Sequence, residues 1–262
     1  MSNFSDFIGG GGGSASYPTI FLHNSQTWVP PQDGNIMIHV IGAGGSGSGS
    51  TVDSNVESGA AGGYCRKNSL AVTTSGSFTV TIGAGGASRI GSAGAGTAGG
   101  NTTVAGTGLS STLTATGGAG GALATNTYTT GGVGSNGDVN TNGGRGGFRK
   151  GGGAVGLTGT GNDGFAGSNA ARTAGANCDI LGDFYSSSFG QISGGAGGSL
   201  YSSRFLVEAG ELAGGGGSAV SLVPLVGGNA SIGGGGGWLQ CTTATDIISG
   251  RGGEGCVVIQ YI

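Results

Sequence analysis

The chain has 262 residues, of which 68 are glycine, and its charged side chains number only 9 Lys or Arg and 12 Asp or Glu. A formal net charge of −3 and a mean hydropathy of +0.11 argue against the highly charged, weakly hydrophobic composition of disordered proteins. Collagen needs abundant proline, and this chain has 4 prolines. Composition therefore predicts a folded protein, with almost no α-helix because each interior glycine costs a helix about 1 kcal/mol relative to alanine.

Residues 1–17 are predicted to form an attachment arm. Phe4, Phe7 and Ile8 make a small apolar cluster ahead of a run of glycines at 9–13. The arm is too short to bury these side chains by itself, so we expect them to contact another protein. A secretory signal or membrane span is not expected, because this segment lacks a basic start and an apolar stretch of adequate length.

A small β base, closed by both chain ends, is predicted over residues 18–90 and 255–262. Residues 19–31 read as one extended segment, and 35–41 alternate as a strand with both faces apolar enough to be covered. Further strands are predicted at 64–72, 77–82 and 109–116. The run at 255–262 is expected to pair beside the N-terminal strands, because an unpaired apolar strand is an aggregation edge.

Residues 91–254 are predicted to form a glycine-rich head with long loops. Eight glycine tracts punctuate this region, at 91–100, 117–121, 143–147, 151–153, 194–198, 214–217, 233–237 and 250–253. Their unequal spacing argues against a solenoid, which needs a fixed period. A polyproline-II-like helix points its N–H and C=O groups outward, and glycine lets such helices approach closely enough to bond. The tracts therefore predict stacked polyglycine-II helices, with flexible linkers as the alternative.

Aromatic side chains lie among serines, threonines and asparagines in the intervals between the tracts. Rigid rings beside small polar groups suit a recognition surface. The candidate receptor-binding residues are Tyr128, Phe184, Tyr185, Phe189, Tyr201 and Trp238. The alternative is that these rings pack onto the glycine layer as covers.

Signals for catalysis are weak, and the chain is predicted not to be an enzyme. Gly42 to Gly47 match the GxGxxG dinucleotide pattern after a strand, but residues 48–63 do not predict the helix that this motif must open. Asp179 and Asp183 admit a paired-carboxylate glycosidase, although two acids in a loop are more often solvated. Both histidines, His23 and His39, fall in predicted strands, which leaves little for a catalytic triad.

The composition also gives no sign of a cofactor, a metal ion or a nucleic-acid partner. The cysteines at 65, 178, 241 and 256 form no CxxC pair, so zinc is not expected. Buried apolar side chains are the preferred interpretation, and disulfides are left open as the alternative. A net charge of −3 is not that of a nucleic-acid-binding protein, and the two RGG triplets are too few for an RNA-binding tract.

Five short motifs follow one another in a fixed order along most of the chain. They are TWVP at 27–30, IHVIGAGG at 38–45, GGY at 62–64, TVTIGAGG at 79–86 and GGEGCVVIQY at 252–261. This order resembles the glycine-rich tail and tail-fibre-tip proteins of bacteriophages. In the related distal adhesins of T-even-like phages, polyglycine-II helices form a stack and the loops between them contact the host surface. The resemblance implies receptor-reading loops at 122–142, 154–193, 199–213, 218–232 and 238–249.

The resemblance also implies a non-enzymatic virion protein at a tail or tail-fibre tip. Its expected partners are other phage tail proteins and a host surface receptor, either a polysaccharide or an outer-membrane protein, with a homo-oligomeric (trimeric) state left open. One departure is that the related adhesins carry a sizeable N-terminal attachment domain, where this chain has only residues 1–17. The alternative function is that of a structural or ice-binding glycine-rich protein.

Overall fold

The computed structural model describes residues 19–50, 56–91, 93–123, 128–147, 160–161, 163, 230, 232–237 and 248–262, with the backbone alone of 225–226, 239–240 and 247. Over these residues the fold is strand and irregular structure without helix, which confirms the predicted fold class. Within the same residues, no helix has the length and apolar character to cross a membrane.

One antiparallel sheet contains the longest strands. In the order in which they pair, its strands are β1 (Thr19–Leu22), β15 (Cys256–Tyr261), β3 (Gly34–Ile41), β5 (Tyr64–Val72) and β11 (Val139–Thr141). Strand β15 lies between β1 and β3, so that Val257 pairs with Leu22 on one side and with Val40 on the other. This pairing confirms the predicted place of the last strand.

A second antiparallel sheet contains shorter strands, in the order β10 (Gly134–Ser135), β9 (Leu113–Ala115), β8 (Thr102–Gly106), β6 (Phe78–Thr81) and β2 (Gln26–Trp28). Side chains from both sheets form one buried core, so the two sheets make a β-sandwich. Ile36, Ile38 and Val40 contribute from the first sheet, while Phe78 of the second packs against Trp28 with 5.5 Å between ring centroids and 46° between ring planes. The alternation of apolar residues along 36–40 is therefore what fixes which face of β3 is inside.

Two of the predicted strands differ in extent from the observed ones. Residues 19–31 are not one extended segment, because β1 pairs with β15 in the first sheet and β2 pairs with β6 in the second. The chain crosses from one sheet to the other between them. The strand predicted at 109–116 covers only Leu113–Ala115, since a turn at Thr107 and Gly108, where φ is +82°, delays its start.

The described cysteines are buried thiols rather than a disulfide. Cys65 lies on β5 and Cys256 on β15, and both are fully buried. Burial raises the pKa of the Cys65 thiol to about 11, so this side chain is a small apolar core residue, as predicted. Cys178 and Cys241 lie outside the described residues.

The strands of the sandwich continue into a second layer made of glycine-rich segments that bond to one another. We call this layer the glycine lattice, and its described segments are 42–48, 57–63, 83–86, 94–100, 116–122, 129–132, 143–147, 233–237 and 250–255. Segment 42–48 follows β3 directly, and segment 57–63 leads directly into β5. Strands and lattice segments therefore alternate along the chain, and both layers draw on residues on either side of residue 90.

Segment 42–48 is the centre of the lattice. Successive N–H groups of this segment donate to three neighbouring segments in turn. The N–H groups of Gly42, Gly45 and Ser48 donate to segment 57–63, and those of Gly44 and Gly47 donate to segment 250–255. Those of Ala43, Ser46 and the following Gly49 donate to segment 94–100. The N···O distances run from 2.8 to 3.3 Å. A repeat every third residue is that of a polyglycine-II helix, which has about three residues per turn and no internal hydrogen bonds.

Three further neighbours donate to the carbonyl groups of the same central segment. Gly86 donates to Gly44, Gly236 donates to Gly45, and segment 116–122 donates twice through Gly118 and Gly121. The central helix thus has six bonded neighbours. The three that it donates to run antiparallel to it, and the three that donate to it run parallel.

This packing explains why the lattice requires glycine. A Cβ atom added at Gly44 would collide with the backbone of Gly234, and one at Gly45 would collide with the backbone of Ala119. Backbone cannot rotate away as a side chain can. The helices can therefore approach closely only where the facing residues have no side chain, as in collagen.

Five of the eight predicted tracts lie wholly or partly in the lattice, and those at 151–153, 194–198 and 214–217 lie outside the described residues. The described tracts are hydrogen-bonded scaffold rather than flexible linkers. Segments 42–48, 57–63, 83–86 and 129–132 belong to the lattice without having been predicted as part of it.

Beyond the lattice, five two-residue strands form two small sheets. The first sheet has the order β12 (Leu225–Val226), β14 (Ile247–Ile248) and β7 (Ile90–Gly91), and the second pairs β13 (Leu239–Gln240) with β4 (Gly49–Ser50). Strand β4 follows the central segment, and β14 precedes segment 250–255. These sheets therefore mark the end of the lattice that faces away from the sandwich, here called the distal end.

Candidate functional site

The chain reverses direction at the distal end. Segments 42–48, 83–86 and 116–122 run from the sandwich to the distal end, and segments 57–63, 94–100 and 129–132 run back. Segment 143–147 also ends there, since its Gly147 accepts a hydrogen bond from Ser58. The distal end is therefore where the connecting segments emerge, and a bonded scaffold holds the residues beside them.

The described part of the distal end carries an exposed aromatic ring beside a cation. Tyr128 is 39% exposed, and the guanidinium carbon of Arg145 lies 4.5 Å from the centroid of its ring. Backbone bonds hold both residues in place, because Thr129 donates to Gly146 at 2.9 Å. Arg145 thus covers one face of the tyrosine ring in a cation–π contact.

Asp163 completes this cluster and fixes the arginine. Its Oδ2 accepts from Nε and Nη2 of Arg145, at 2.9 and 2.6 Å, and its Oδ1 accepts from the backbone N–H of Arg145 at 2.8 Å. Partial burial raises the pKa of Asp163, but these hydrogen bonds outweigh it and hold that pKa below its usual value. The hydrogen bonds that Arg145 donates to Asp163 in turn raise the pKa of Arg145. The cluster therefore carries one fixed positive and one fixed negative charge.

Exposed polar and apolar residues lie close to the cluster along the chain. Thr130, Asn142 and Thr160 are exposed, and the carbonyl of Asn142 accepts from Gly161 at 2.9 Å, which ties the residues near Asp163 to the scaffold. Leu123 is 43% exposed. An aromatic ring bordered by small polar side chains is the composition of a recognition surface.

A second exposed ion pair lies on the sandwich and has a different setting. Lys67 Nζ donates to Asp138 Oδ1 at 2.8 Å, and the N–H of Asn68 donates to Asp138 Oδ2 at 2.8 Å. These bonds lower the pKa of Asp138, the Lys67 bond being the larger cause. No ring contact accompanies this pair among the described residues, so it serves as a structural contact between β5 and the 136–138 turn.

Of the predicted receptor-binding residues, Tyr128 is the one whose surroundings are described, and it is exposed at the distal end. Phe184, Tyr185, Phe189, Tyr201 and Trp238 lie outside the described residues, as do Phe4, Phe7 and Ile8 of the predicted arm. The interval 122–142, predicted as a receptor-reading loop, is mostly scaffold where it is described. Residues 129–132 join the lattice, β10 pairs with β9 in the second sheet, and β11 pairs with β5 in the first.

Sequence reasoning missed Arg145 and Asp163 as partners of Tyr128. Arg145 lies inside a glycine tract and Asp163 lies 18 residues further along, so no local pattern connects them. An arginine within a glycine tract does indicate a surface position, because a long side chain cannot fit between close-packed helices and must face outward.

The lattice also leaves the GxGxxG motif no capacity to bind a phosphate. The N–H groups of Gly42, Gly44, Gly45 and Gly47 all donate to neighbouring lattice segments, whereas a dinucleotide turn must present N–H groups to its ligand. In the described part of the chain, no three His, Cys, Asp or Glu side chains lie together as metal ligands would.

The described residues define the class of fold: a β-sandwich extended by a lattice of glycine helices. Comparison with protein families assigns the chain to one of them. It matches the model of the glycine-rich domain family over residues 21–262, and it belongs to that family. A search of the curated proteins found no match.

Proposed function

We propose that this protein is a phage receptor-binding adhesin that sits at a tail or tail-fibre tip and recognises the host surface through loops at the distal end of the glycine lattice. The single observation that carries the proposal is the central helix 42–48, bonded to six neighbours while the connecting segments leave at one end. Binding residues are commonly displayed on loops that a rigid scaffold positions. The motif order that resembles phage tail proteins supplies the biological setting.

The residues between two described lattice segments support the same proposal. Segment 143–147 ends at the distal end, and the next lattice segment among the described residues begins at residue 233. The chain between them holds Phe184, Tyr185, Phe189 and Tyr201. Segments that connect the elements of a rigid scaffold commonly carry its binding residues, and aromatic residues are frequent among them.

Two measurements test the proposal directly. An antibody against the purified protein should label the distal end of the tail on particles produced from the genome that encodes it, as seen by electron microscopy. The fluorescently labelled protein should adsorb to cells that those particles infect and should compete with the particles for adsorption. Labelling elsewhere on the particle, or adsorption by the particles that excess protein leaves unchanged, would contradict the proposal.

Variants of the long connection separate receptor contact from packing. Tyr185→Ala and Phe189→Ala are expected to weaken adsorption to host cells while leaving the melting temperature unchanged, because interface energy usually resides in a few aromatic anchors worth about 2 kcal/mol or more. Rings that cover the scaffold would give the opposite result, a lower melting temperature with unchanged adsorption. That result in both variants would move the receptor contact to other residues.

One observation favours the alternative, an ice-binding or structural protein. Ala84 and Ala87 are exposed beside Ala95 and Ala98, each pair spaced by one helical repeat on neighbouring parts of the lattice. Such a face of methyl groups is flat. It is also small, and the unequal tracts do not extend it. Inhibition of ice recrystallisation by the purified protein, without adsorption to bacteria, would select this alternative.

A further inference from the structure

We propose that Tyr128, Arg145 and Asp163 form a subsite for a neutral hexopyranose of a surface polysaccharide. This inference rests on the proposed function and names the chemistry of the receptor that the distal end takes. It concerns the three side chains whose contacts are described above, and it assigns to each a different contact with one sugar ring.

Arg145 has hydrogen-bond donors left over after its contacts are counted. A guanidinium carries five N–H donors in a fixed fork. Asp163 takes the Nε donor and one of the two on Nη2. Among the described residues nothing occupies the two donors of Nη1 or the second donor of Nη2. The remaining donors lie along the outer edge of the fork, where they suit two adjacent oxygen atoms.

Asp163 supplies an acceptor beside those donors. A carboxylate offers about four lone-pair positions. Three are used, two on Oδ2 by the side chain of Arg145 and one on Oδ1 by its backbone N–H. The second position on Oδ1 is left for a ligand, and 38% of the Asp163 side chain is exposed. Donors and an acceptor are thus presented side by side.

This combination matches neighbouring hydroxyl groups better than it matches an anion. Each hydroxyl of a sugar both donates and accepts one or more hydrogen bonds. An ionised acidic group accepts only, and it would meet the negative charge of Asp163 beside Arg145. Because the two formal charges cancel, the cluster gives an anion little electrostatic attraction. The geometry therefore selects a ligand that is polar and uncharged.

Tyr128 gives the subsite an apolar surface. Arg145 covers one face of its ring, and the residue remains 39% exposed. A pyranose has C–H groups on its faces that pack against aromatic rings, while its hydroxyls lie around the edge. The sugar can then contact the exposed part of the Tyr128 ring and direct adjacent hydroxyls to Arg145 and Asp163. The cation–π and ion-pair contacts hold these groups in position before the ligand arrives, which reduces the entropic cost of binding.

Saturation-transfer NMR tests the proposal with defined probes. The intact protein is mixed with the methyl glycosides of glucose, galactose, mannose and N-acetylglucosamine, and with methyl glucuronide as the acidic comparison. At least one neutral glycoside should receive saturation. Its affinity should fall by about tenfold or more in Arg145→Lys, which keeps the charge but loses the fork, and in Tyr128→Ala. Asp138→Asn, which alters the exposed Lys67–Asp138 ion pair on the sandwich, should leave it unchanged.

Three outcomes would overturn the inference: no transfer to any neutral glycoside, transfer to the glucuronide alone, or equal binding by the wild type and both cluster variants. Adsorption to host cells is measured on the same preparations, so that failure of the subsite is distinguished from failure of the adhesin. Adsorption without any neutral glycoside binding would indicate a protein or acidic receptor. Glycoside binding without adsorption would keep the subsite and reject the adhesin.

Discussion

A methyl group placed on Gly118 would meet the carbonyl oxygens of Ala60 and Ala61, which belong to the neighbouring lattice segment 57–63. Gly118 also donates to Ala43 of the central segment at 2.9 Å. It is therefore enclosed by backbone on two sides. By contrast, a methyl group on Gly34, at the start of β3, would meet only the side chain of Tyr261, at 3.3 Å.

We predict that Gly118→Val lowers the free energy of unfolding by more than about 3 kcal/mol, because overpacking costs about 1–3 kcal/mol even where side chains can adjust. Gly118→Ala should show much of the same loss. Gly34→Ala, the control, should stay within about 1 kcal/mol of the parent. Urea unfolding followed by circular dichroism measures all three. Equal midpoints for Gly118→Val and the parent would mean that the lattice is not close-packed at this position.

His39 is a buried polar residue on the sandwich side of the molecule. Its Nδ1 lies 2.9 Å from the hydroxyl of Tyr64, and its Nε2 lies 3.2 Å from Oε1 of Gln260. This pattern fits a neutral ring in which Nε2–H donates to Gln260 and the Tyr64 hydroxyl donates to Nδ1. Burial lowers the pKa of His39 from 6.5 to about 4, with Arg66 adding to that effect and the Gln260 bond opposing it.

This pKa predicts that the fold loses stability as the pH falls below 6.5. Between pH 6.5 and about 4 the unfolded chain binds a proton at His39 that the folded chain does not, so stability falls as the pH is lowered through that window. The full effect is about 3 kcal/mol. His39→Gln should flatten the dependence of the unfolding midpoint on pH in the same window. A slope in the variant as steep as in the parent would assign the effect to other groups.

At the scale of the element, segment 94–100 lies at the edge of the lattice and shows three different faces. Gly94 and Thr97 bond to the central segment, and Gly96 and Gly99 donate to segment 116–122. Ala95 and Ala98 make up the third face and are exposed to solvent. Every third residue of the segment therefore lies on the same face of the helix, and the face decides whether a residue must be glycine.

Tolerance to substitution in this segment should follow the same period. Gly96→Ala and Gly99→Ala place a methyl group against the carbonyls of Ser46 and Ala43, and each is expected to lower stability by about 2 kcal/mol or more. Ala95→Ser and Ala98→Ser change exposed side chains and should remain within about 0.5 kcal/mol of the parent. Thermal melts of the four variants measure this contrast. Uniform effects across the four would contradict a helix with a three-residue repeat.

At the scale of the whole molecule, one covalent path builds both layers. The chain passes from a sandwich strand into a lattice segment and returns through another segment to another strand, as 34–48 and 57–72 do together. The apolar core of the sandwich thus holds the ends of the lattice helices in register. This arrangement compensates for the conformational entropy that glycine loses on folding, because it presents each helix to neighbours that are already aligned.

The predicted attachment arm gives a test that removes no described residue of either layer. Deleting residues 2–13 removes Phe4, Phe7 and Ile8 but no described strand, since β1 begins at Thr19. The shortened protein should melt at the same temperature as the parent and should no longer be incorporated into particles. Quantifying the protein in purified particles measures this. Incorporation at the level of the parent would reject the arm, whereas loss of folding would show that these residues support the sandwich.

The sequence by itself determined four strands of the sandwich, those predicted at 35–41, 64–72, 77–82 and 255–262, and the character of the second layer. It did not predict β8, β10 or β11. Alternation at 36–40 identified the inner face of β3, and the apolar run at 256–261 required a pairing partner, because local periodicity depends only on neighbouring residues. The clusters of glycine predicted polyglycine-II helices whose backbones form hydrogen bonds with neighbouring helices. For the site, composition pointed to Tyr128 as an exposed ring, and nothing local could add its partners.

Only the tertiary structure decided which tract is central and which side chains meet. Segment 42–48 contains alanine and serine and follows a strand, so its pattern alone resembles the turn after β3 as much as a lattice helix. Its six partners come from places between residues 57 and 255. Arg145 and Asp163 likewise meet across 18 residues. Hydrogen bonds between backbones leave no pattern in the sequence that identifies the partner, because any residue with a backbone N–H or C=O can make them. The partner of each lattice segment depends on the position of the sandwich strand to which the segment is joined.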